Sequence, residues 1–321
     1  MDIATPLLQY LRDEHDNQSL QYRSPPMPLT GGYGTHLYVF QLEHVSEELS
    51  KPLVLRLFHQ AYPHGQAYLE GTAHNILVEA GYPAPPVSAI CSDPSILGDE
   101  FIIMAFMPGK LLMDCSLERV SGLLAQAHSW LHNIDTEPIM KKLTEQGFFA
   151  RADKGLYWND LTSLLDSSDQ QITLHNLEWL KPGFQWLKTH RPKHGKRAIY
   201  HGDFHPLNIL VEQGEISAVL DWSSFKLWEP ESDVANTLNR FCLMPAIFPQ
   251  IDWDPVGVQY FDRYLQERSL DPVKVEYYEA VWCIRGFLLY DMGFEVWGRP
   301  EIQERLVKRF REVTNIKLSS S

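Results

Sequence analysis

The 321-residue chain predicts an α+β protein in two lobes, a small antiparallel-strand lobe followed by a larger, mainly helical one. Three observations carry this. The length exceeds what one small core needs, and 44% apolar with 21% charged residues is an ordinary globular composition. Up to about residue 106, short β-rich apolar runs alternate with Gly/Pro turns around one helical stretch. Beyond Gly109 the apolar residues recur at helical spacing. The lobes are therefore placed at residues 1–106 and 107–321.

In the first lobe, residues 36–42 read as a strand. Pro52–Phe58 reads as a buried strand carrying one cation, Arg56. A charge in an apolar strand needs a partner, because burying it alone is costly. The helix that follows, about Gln66–Ala80, offers Glu70 and Glu79. Phe101–Met107 is a strand that Pro108-Gly109 stops. In the second lobe, Leu117–Asn133 has Leu123, Leu124, Ala127, Trp130 and Leu131 at helical spacing. Leu174–His190 repeats the pattern, interrupted near Lys181-Pro182-Gly183, and Ala198–Tyr200 is a short strand. Pro230 opens a helix, since proline suits the first turn and acids suit its positive end. Residues 255–267, 272–295 and 299–313 complete the helices, with Asp271-Pro272 and Arg299-Pro300 at the breaks.

The densest chemical signal is Tyr200–Asn208, Y-H-G-D-F-H-P-L-N, with L-D-W at 220–222. Asn208 follows Asp203 by five residues, and Asp221 follows Asn208 by thirteen. Ile209–Val211 and Ile216–Leu220 read as strands joined by a turn at Gln213-Gly214, a hairpin that returns Asp221 towards Asn208. Asn208 and Asp221 then offer two oxygen ligands to Mg²⁺, which takes few protein donors. Asp203 remains for proton chemistry on a substrate hydroxyl. The alternative pattern, His201, Asp203 and His205 as an H-x-D-x-H metal site of a metallohydrolase, leaves Asn208 and the hairpin without a purpose.

These motifs resemble the catalytic set of protein kinases. They resemble more closely the aminoglycoside phosphotransferase family, where H-G-D, H-x-x-N-I-L and D-W occupy these places. The resemblance covers about Leu29 to Phe310 and implies a two-lobed protein-kinase-like fold. It further implies a Mg²⁺-dependent O-phosphotransferase that moves the γ-phosphate of ATP, or GTP, to a small-molecule hydroxyl. On that likeness Asp203 is the proton acceptor, and Asn208 and Asp221 are the metal ligands. His201 and Asp233 support the loop, Asp233 matching the last acid of a D-x-x-x-D-x-A segment. Gly31, Gly32 and Gly34 precede a strand as a phosphate-approaching loop would. Arg56 takes the position of the kinase lysine, and Glu70 is its partner, set by its distance from the G-x-P-x-P turn at Gly81–Pro85. Met104, the Ala105 carbonyl and the Met107 amide would meet the adenine at the hinge. Arg for Lys departs from the kinase pattern and motivates a second reading, a nucleotide-binding pseudokinase-like protein without catalysis.

Net charge of −13 argues against nucleic acid and anionic membrane as partners. Between Glu229 and Glu301 there are 13 acids against 6 bases, together with 13 of the 38 aromatics. That mixture favours a cationic amino sugar or amino alcohol as acceptor. Cys91, Cys115, Cys242 and Cys283 are scattered without a C-x-x-C, which suits reduced thiols in the cytoplasm. No secretory leader and no membrane-spanning stretch are read. A protein-kinase role is unexpected, because no long activation segment separates Asp221 from Asp233.

Overall fold

The computed structural model describes residues 2–29, 35–59, 62, 64–152, 160–291 and 293–318, with only the backbone at 151–152. In chain order the elements are α1 (Ala4–Glu14), β1 (Gln21–Pro28), β2 (Thr35–Glu43), β3 (Leu53–Phe58), α2 (Gln66–Glu79), β4 (Val87–Cys91), β5 (Phe101–Ala105) and β6 (Lys110–Leu111). There follow α3 (Leu117–Asn133), α4 (Thr136–Glu145), α5 (Phe148–Ala152), α6 (Leu161–Leu174) and α7 (Lys181–Thr189). Next come β7 (Ala198–Tyr200), β8 (Ile209–Glu212), β9 (Glu215–Val219) and β10 (Lys226–Trp228). The chain ends in α8 (Pro230–Ile247), α9 (Asp254–Glu267), α10 (Pro272–Asp291) and α11 (Pro300–Thr314). Two compact units result: Met1–Lys110 with Ile139–Leu156 and Leu210–Phe225, and the remaining segments.

The first unit is built on a five-stranded sheet in the order β1-β2-β3-β5-β4, its paired strands antiparallel. β3 is buried along its whole length, which explains its unbroken L-V-L around Arg56. β1 escapes periodicity reading because it carries three prolines. It survives as an edge strand with two register shifts, where missing N–H donors cost little. α2 begins at Gly65, in the left-handed region, and Glu100 caps it by accepting from the Gly65 and Ala67 amides. Apolar residues of α1, β2, β3 and β5 form the core on one side of the sheet, among them Leu7, Phe40, Leu55 and Phe101. The β8–β9 hairpin forms with Gln213 and Gly214 both at positive φ, the mirror-type turn that matches strand twist. Gly109 also has positive φ, +129°. A Cβ there would lie 2.9 Å from the Val211 carbonyl oxygen, so the chain closes against β8 only as glycine.

The second unit is helical around a core that includes Leu164, Phe184, Tyr277, Phe287, Trp297 and Phe310. α8, α9 and α11 each carry proline in their first turn, and α10 opens at Pro272. α10 stops at Asp291, short of the expected 295, and Gly293 lies beyond it at positive φ. The helix expected over 174–190 resolves into the end of α6 and a separate α7. Asn176 at positive φ and the Lys181-Pro182-Gly183 start divide them. No helix among the described residues is long and apolar enough to cross a membrane.

Candidate active site

In the second unit the segment after β7 carries the catalytic-loop motif, and α8 holds it in place. Asp233, Asn236, Thr237 and Arg240 recur at i, i+3, i+4 and i+7, one face of the helix. The Asp233 carboxylate accepts from the His201 N–H at 2.7 Å and the Gly202 N–H at 2.9 Å. Asn236 donates to the Gly202 carbonyl, and the Thr237 hydroxyl donates to the Phe204 carbonyl at 3.0 Å. Arg240 Nη2 pairs with Asp203 Oδ1 at 2.8 Å. The same four positions could have been found in the sequence as a polar stripe on a helix otherwise rich in apolar residues. Asn236, Thr237 and Arg240 were missed because only Asp233 matches a motif.

Asp203 is further ordered by its own loop. Its N–H donates to His201 Nδ1 at 3.1 Å, and His205 Nε2 lies 3.2 Å from Oδ2. Asn208 gives its amide N–H groups to the Asp203 carbonyl at 3.0 Å and to Oδ2 at 3.4 Å. Burial pushes the Asp203 carboxyl up, but Arg240, His205 and His201 outweigh it and hold the pKa well below the carboxylate range. The carboxylate is thus ionised, and at 31% side-chain exposure it stays open to a ligand. His201, in contrast, is fully buried, edge-on to Phe204.

Behind Asp233 sits a buried histidine pair that the sequence did not announce. His128 and His132, one turn apart on α3, place Nε2 at 3.2 and 3.3 Å from Asp233 Oδ2. Their Nδ1 atoms accept from the hydroxyls of Tyr260 and Tyr264 on α9, at 2.7 and 2.6 Å. With Nδ1 accepting, each neutral ring carries its proton on Nε2; that of His132 bonds the carboxylate, and His128 Nε2 lies close to it without hydrogen-bond geometry. Burial pushes His128 down to about 3, with His132 adding to the shift and Asp233 opposing it. Burial also lowers His132. Asp233 is raised by burial but held far below its ordinary range by both histidines. Among the described residues, this trio is the set of His, Cys, Asp and Glu side chains whose ligand atoms converge, and His201, Asp203 and His205 are not such a set.

In the first unit, Arg56 projects from β3 and is 6% exposed. Its Nη1 lies 3.3 Å from Glu70 Oε1 on α2, and its Nη2 lies 3.2 Å from Asp221 Oδ1. Burial works against the charge, but Glu70 and Asp221 more than offset it and raise the guanidinium above its ordinary pKa. The guanidinium also lies over the Phe58 ring, 5.5 Å from its centroid. Asp221 follows β9 with φ +63°, and Trp222 beside it is fully buried against Tyr82. Met104 is buried in β5, next to Val54 of β3 and Val87 of β4. The Ala105 and Phe106 amides donate to the Pro86 and Pro52 carbonyls, and Met107 lies just beyond them. Gly31, Gly32 and Gly34 lie outside the described residues.

The phosphotransferase enzyme family's sequence model matches residues 27–276, and the chain belongs to that family. Its fold is that of an aminoglycoside phosphotransferase solved with AMP-PNP and hygromycin B (TM-score 0.66, 19% identity, 96% of this chain and 98% of the other). It is likewise that of an ethanolamine kinase of Plasmodium vivax (TM-score 0.64, 15% identity, 96% and 88%). At these identities the likeness shows the fold alone. Among curated proteins, acyl-CoA dehydrogenase family member 10 of Mus musculus is 28% identical over 218 residues, covering 61% of this chain but 20% of that protein. Family member 11 of Homo sapiens is 25% identical over 186 residues, 55% of this chain and 23% of that protein. The chain therefore spans about a fifth to a quarter of these relatives' length, and their names say nothing about its activity.

Proposed function

We propose that this phosphotransferase moves the γ-phosphate of ATP, or GTP, to the hydroxyl of a small molecule, with Asp203 as the proton acceptor. One observation carries the reading: an ionised, ligand-accessible carboxylate fixed by its loop, by Asn208 and by Arg240. The hydroxyl oxygen forms a bond to the γ-phosphorus while the β–γ bridging bond breaks. ADP leaves with that bond's electron pair, and the hydroxyl proton passes to an Asp203 oxygen. Positioning and charge neutralisation supply most of the rate in such a step.

Arg56, locked by Glu70, would carry nucleotide phosphate charge, and Gly31, Gly32 and Gly34 would approach it with backbone amides. The Met107 amide and the Ala105 carbonyl would meet the adenine beside Met104. The donor set also suits magnesium. Asp221 offers a half-buried carboxylate, and Asn208, whose amide N–H groups are spent on Asp203, keeps its amide oxygen for a hard cation. When bound there, Mg²⁺ would neutralise phosphate charge. The residues around Asp203 favour catalysis over the pseudokinase alternative, since Arg56 retains its acidic partner and Asp203 its ionisation. The free cysteines suit the cytoplasm.

The test is ADP release and radiolabel transfer from ATP and GTP, with and without Mg²⁺, across a panel of hydroxyl compounds. Magnesium-dependent labelling of an acceptor is expected. Label appearing in no acceptor, while hydrolysis of another ester class proceeds, would overturn the reading.

A further inference from the structure

A guanidinium stands directly against Asp203, although the whole chain carries a net charge of −13. Arg240 stands 2.8 Å from the catalytic carboxylate and lies over the Trp297 ring, 5.3 Å from its centroid. Its Nε is buried and finds no hydrogen-bond acceptor among the described residues, although a guanidinium carries five N–H donors. Two more basic side chains lie around Tyr200, though burial pushes Lys226 down to about 7 and Arg285 down to about 10. Lys226 of β10 places Nζ 4.5 Å from the Tyr200 ring centroid, and Arg285 of α10 is close enough to be felt by both Lys226 and Tyr200. The acids near Tyr200 are Asp203 and Asp233, and the backbone amides of the loop and the two histidines already surround Asp233.

Part of the acid-rich segment that suggested a cationic acceptor lies in a separate groove. Residues two apart on a helix point about 200° apart. Arg240 faces Asp203, so Leu238 and Cys242 face away, into a groove of about 740 Å³. Asp254, Asp262, Glu276 and Glu279 line that groove, on the far side of α8 from the catalytic carboxylate, together with Arg305, Lys308 and Arg309. An ammonium group brought to Asp203 would meet the Arg240 guanidinium rather than these acids.

Resting on the phosphotransfer reading above, we infer that the acceptor is a hydroxy acid, a small molecule whose hydroxyl is phosphorylated at Asp203 while its own anionic group, carboxylate or phosphate, is held by Arg240. Arg240 is then a specificity-determining residue. Its planar fork serves Asp203 with one edge and the acceptor's anion with another, a bidentate role that lysine cannot copy. Trp297 packs against the fork. The transfer itself is unchanged: oxygen bonds to the γ-phosphorus, ADP departs, and the proton goes to Asp203.

The experiment compares acceptors that share one hydroxyl and differ in the second group: lactate, hydroxybutyrate and longer hydroxy acids, the matching amino alcohols, the matching neutral diols, and glycerol phosphate as the phosphate arm. Phosphoryl transfer is measured with the wild-type chain and with Arg240→Gln and Arg240→Lys, alongside nucleotide Kd. The hydroxy acids or glycerol phosphate should exceed the amino alcohols by about tenfold or more in kcat/KM, as a charged hydrogen bond warrants. Arg240→Gln should collapse that preference relative to the neutral diols, with Arg240→Lys restoring little and nucleotide Kd unmoved. Amino alcohols turned over as fast as the acids, or no anionic acceptor turned over at all, would overturn the inference. So would an Arg240→Gln defect that is equal for every acceptor, which would leave Arg240 only its role of fixing Asp203. The phosphotransfer reading survives each of these results if any hydroxyl compound is labelled in an Asp203-dependent way, so the two failures are distinguishable.

Discussion

Replacing Asp233 with asparagine removes the acceptor on which the catalytic loop hangs. Two backbone amides, at 2.7 and 2.9 Å, and the His132 Nε2–H converge on this fully buried carboxylate, with His128 Nε2 at 3.2 Å beside them. An amide in its place presents one oxygen and turns an NH₂ group into a ring of donors. Each hydrogen bond to a charged acceptor contributes about 1.5–3 kcal/mol, and breaking a buried charge network typically costs about 3–5 kcal/mol. With part of the loss recovered by the remaining oxygen, the expected destabilisation is about 3 kcal/mol, or roughly 6–12 °C in Tm for a unit of this size. The loop would also loosen around Asp203. A displacement of about 1 Å costs on the order of 100-fold in turnover. The assay is thermal unfolding beside kcat and nucleotide Kd for wild type and Asp233→Asn. Unchanged Tm and wild-type kcat would show that the network does not hold the loop, and would refute the reasoning.

The histidine pair sets an acid limit. His128 binds its proton at about 3 in the folded chain against about 6.5 when unfolded, so the unfolded state takes up more protons below 6.5. Stability should therefore be intact above that value and fall by about 1.4 kcal/mol per unit as pH drops towards 4, and His128→Gln should remove that part of the slope. Equal slopes in both proteins would exclude His128 as its source. Glu70→Gln leaves Arg56 with a neutral neighbour in a buried site, so stability should drop by about 3 kcal/mol; a Tm within one degree of wild type would contradict the ion pair. Gly109→Ala must fit a Cβ at 2.9 Å from a carbonyl oxygen at positive φ, at a cost of about 1–3 kcal/mol. Chemical denaturation checks that value, and no change would mean the segment relaxes.

What the sequence made legible divides by how local its cause is. The β8–β9 hairpin, β3 and α3 were readable because turn residues and apolar spacing act over a few positions. The loop around Asp203 was readable because phosphoryl transfer demands particular residues at short spacings. α1 and β1 were not read, and β1 holds three prolines that only an edge position tolerates. Arg240, His128, His132, Tyr260 and Tyr264 were missed for a different reason. Their meaning arises from α3, α8 and α9 packing together, contacts between residues more than a hundred positions apart in the case of the histidine–tyrosine bonds. Which acids of the C-terminal region line a groove was equally hidden, since composition does not say how α9, α10 and α11 pack beside α8.

The central claim is that Asp203 takes the proton of the acceptor hydroxyl. Its most direct test is Asp203→Asn, measured for magnesium–nucleotide Kd and for single-turnover phosphoryl transfer to whichever acceptor the wild type labels. The account predicts nucleotide Kd within about threefold of wild type, together with a loss of about 10²–10⁴ in transfer rate. Transfer at the wild-type rate would contradict it.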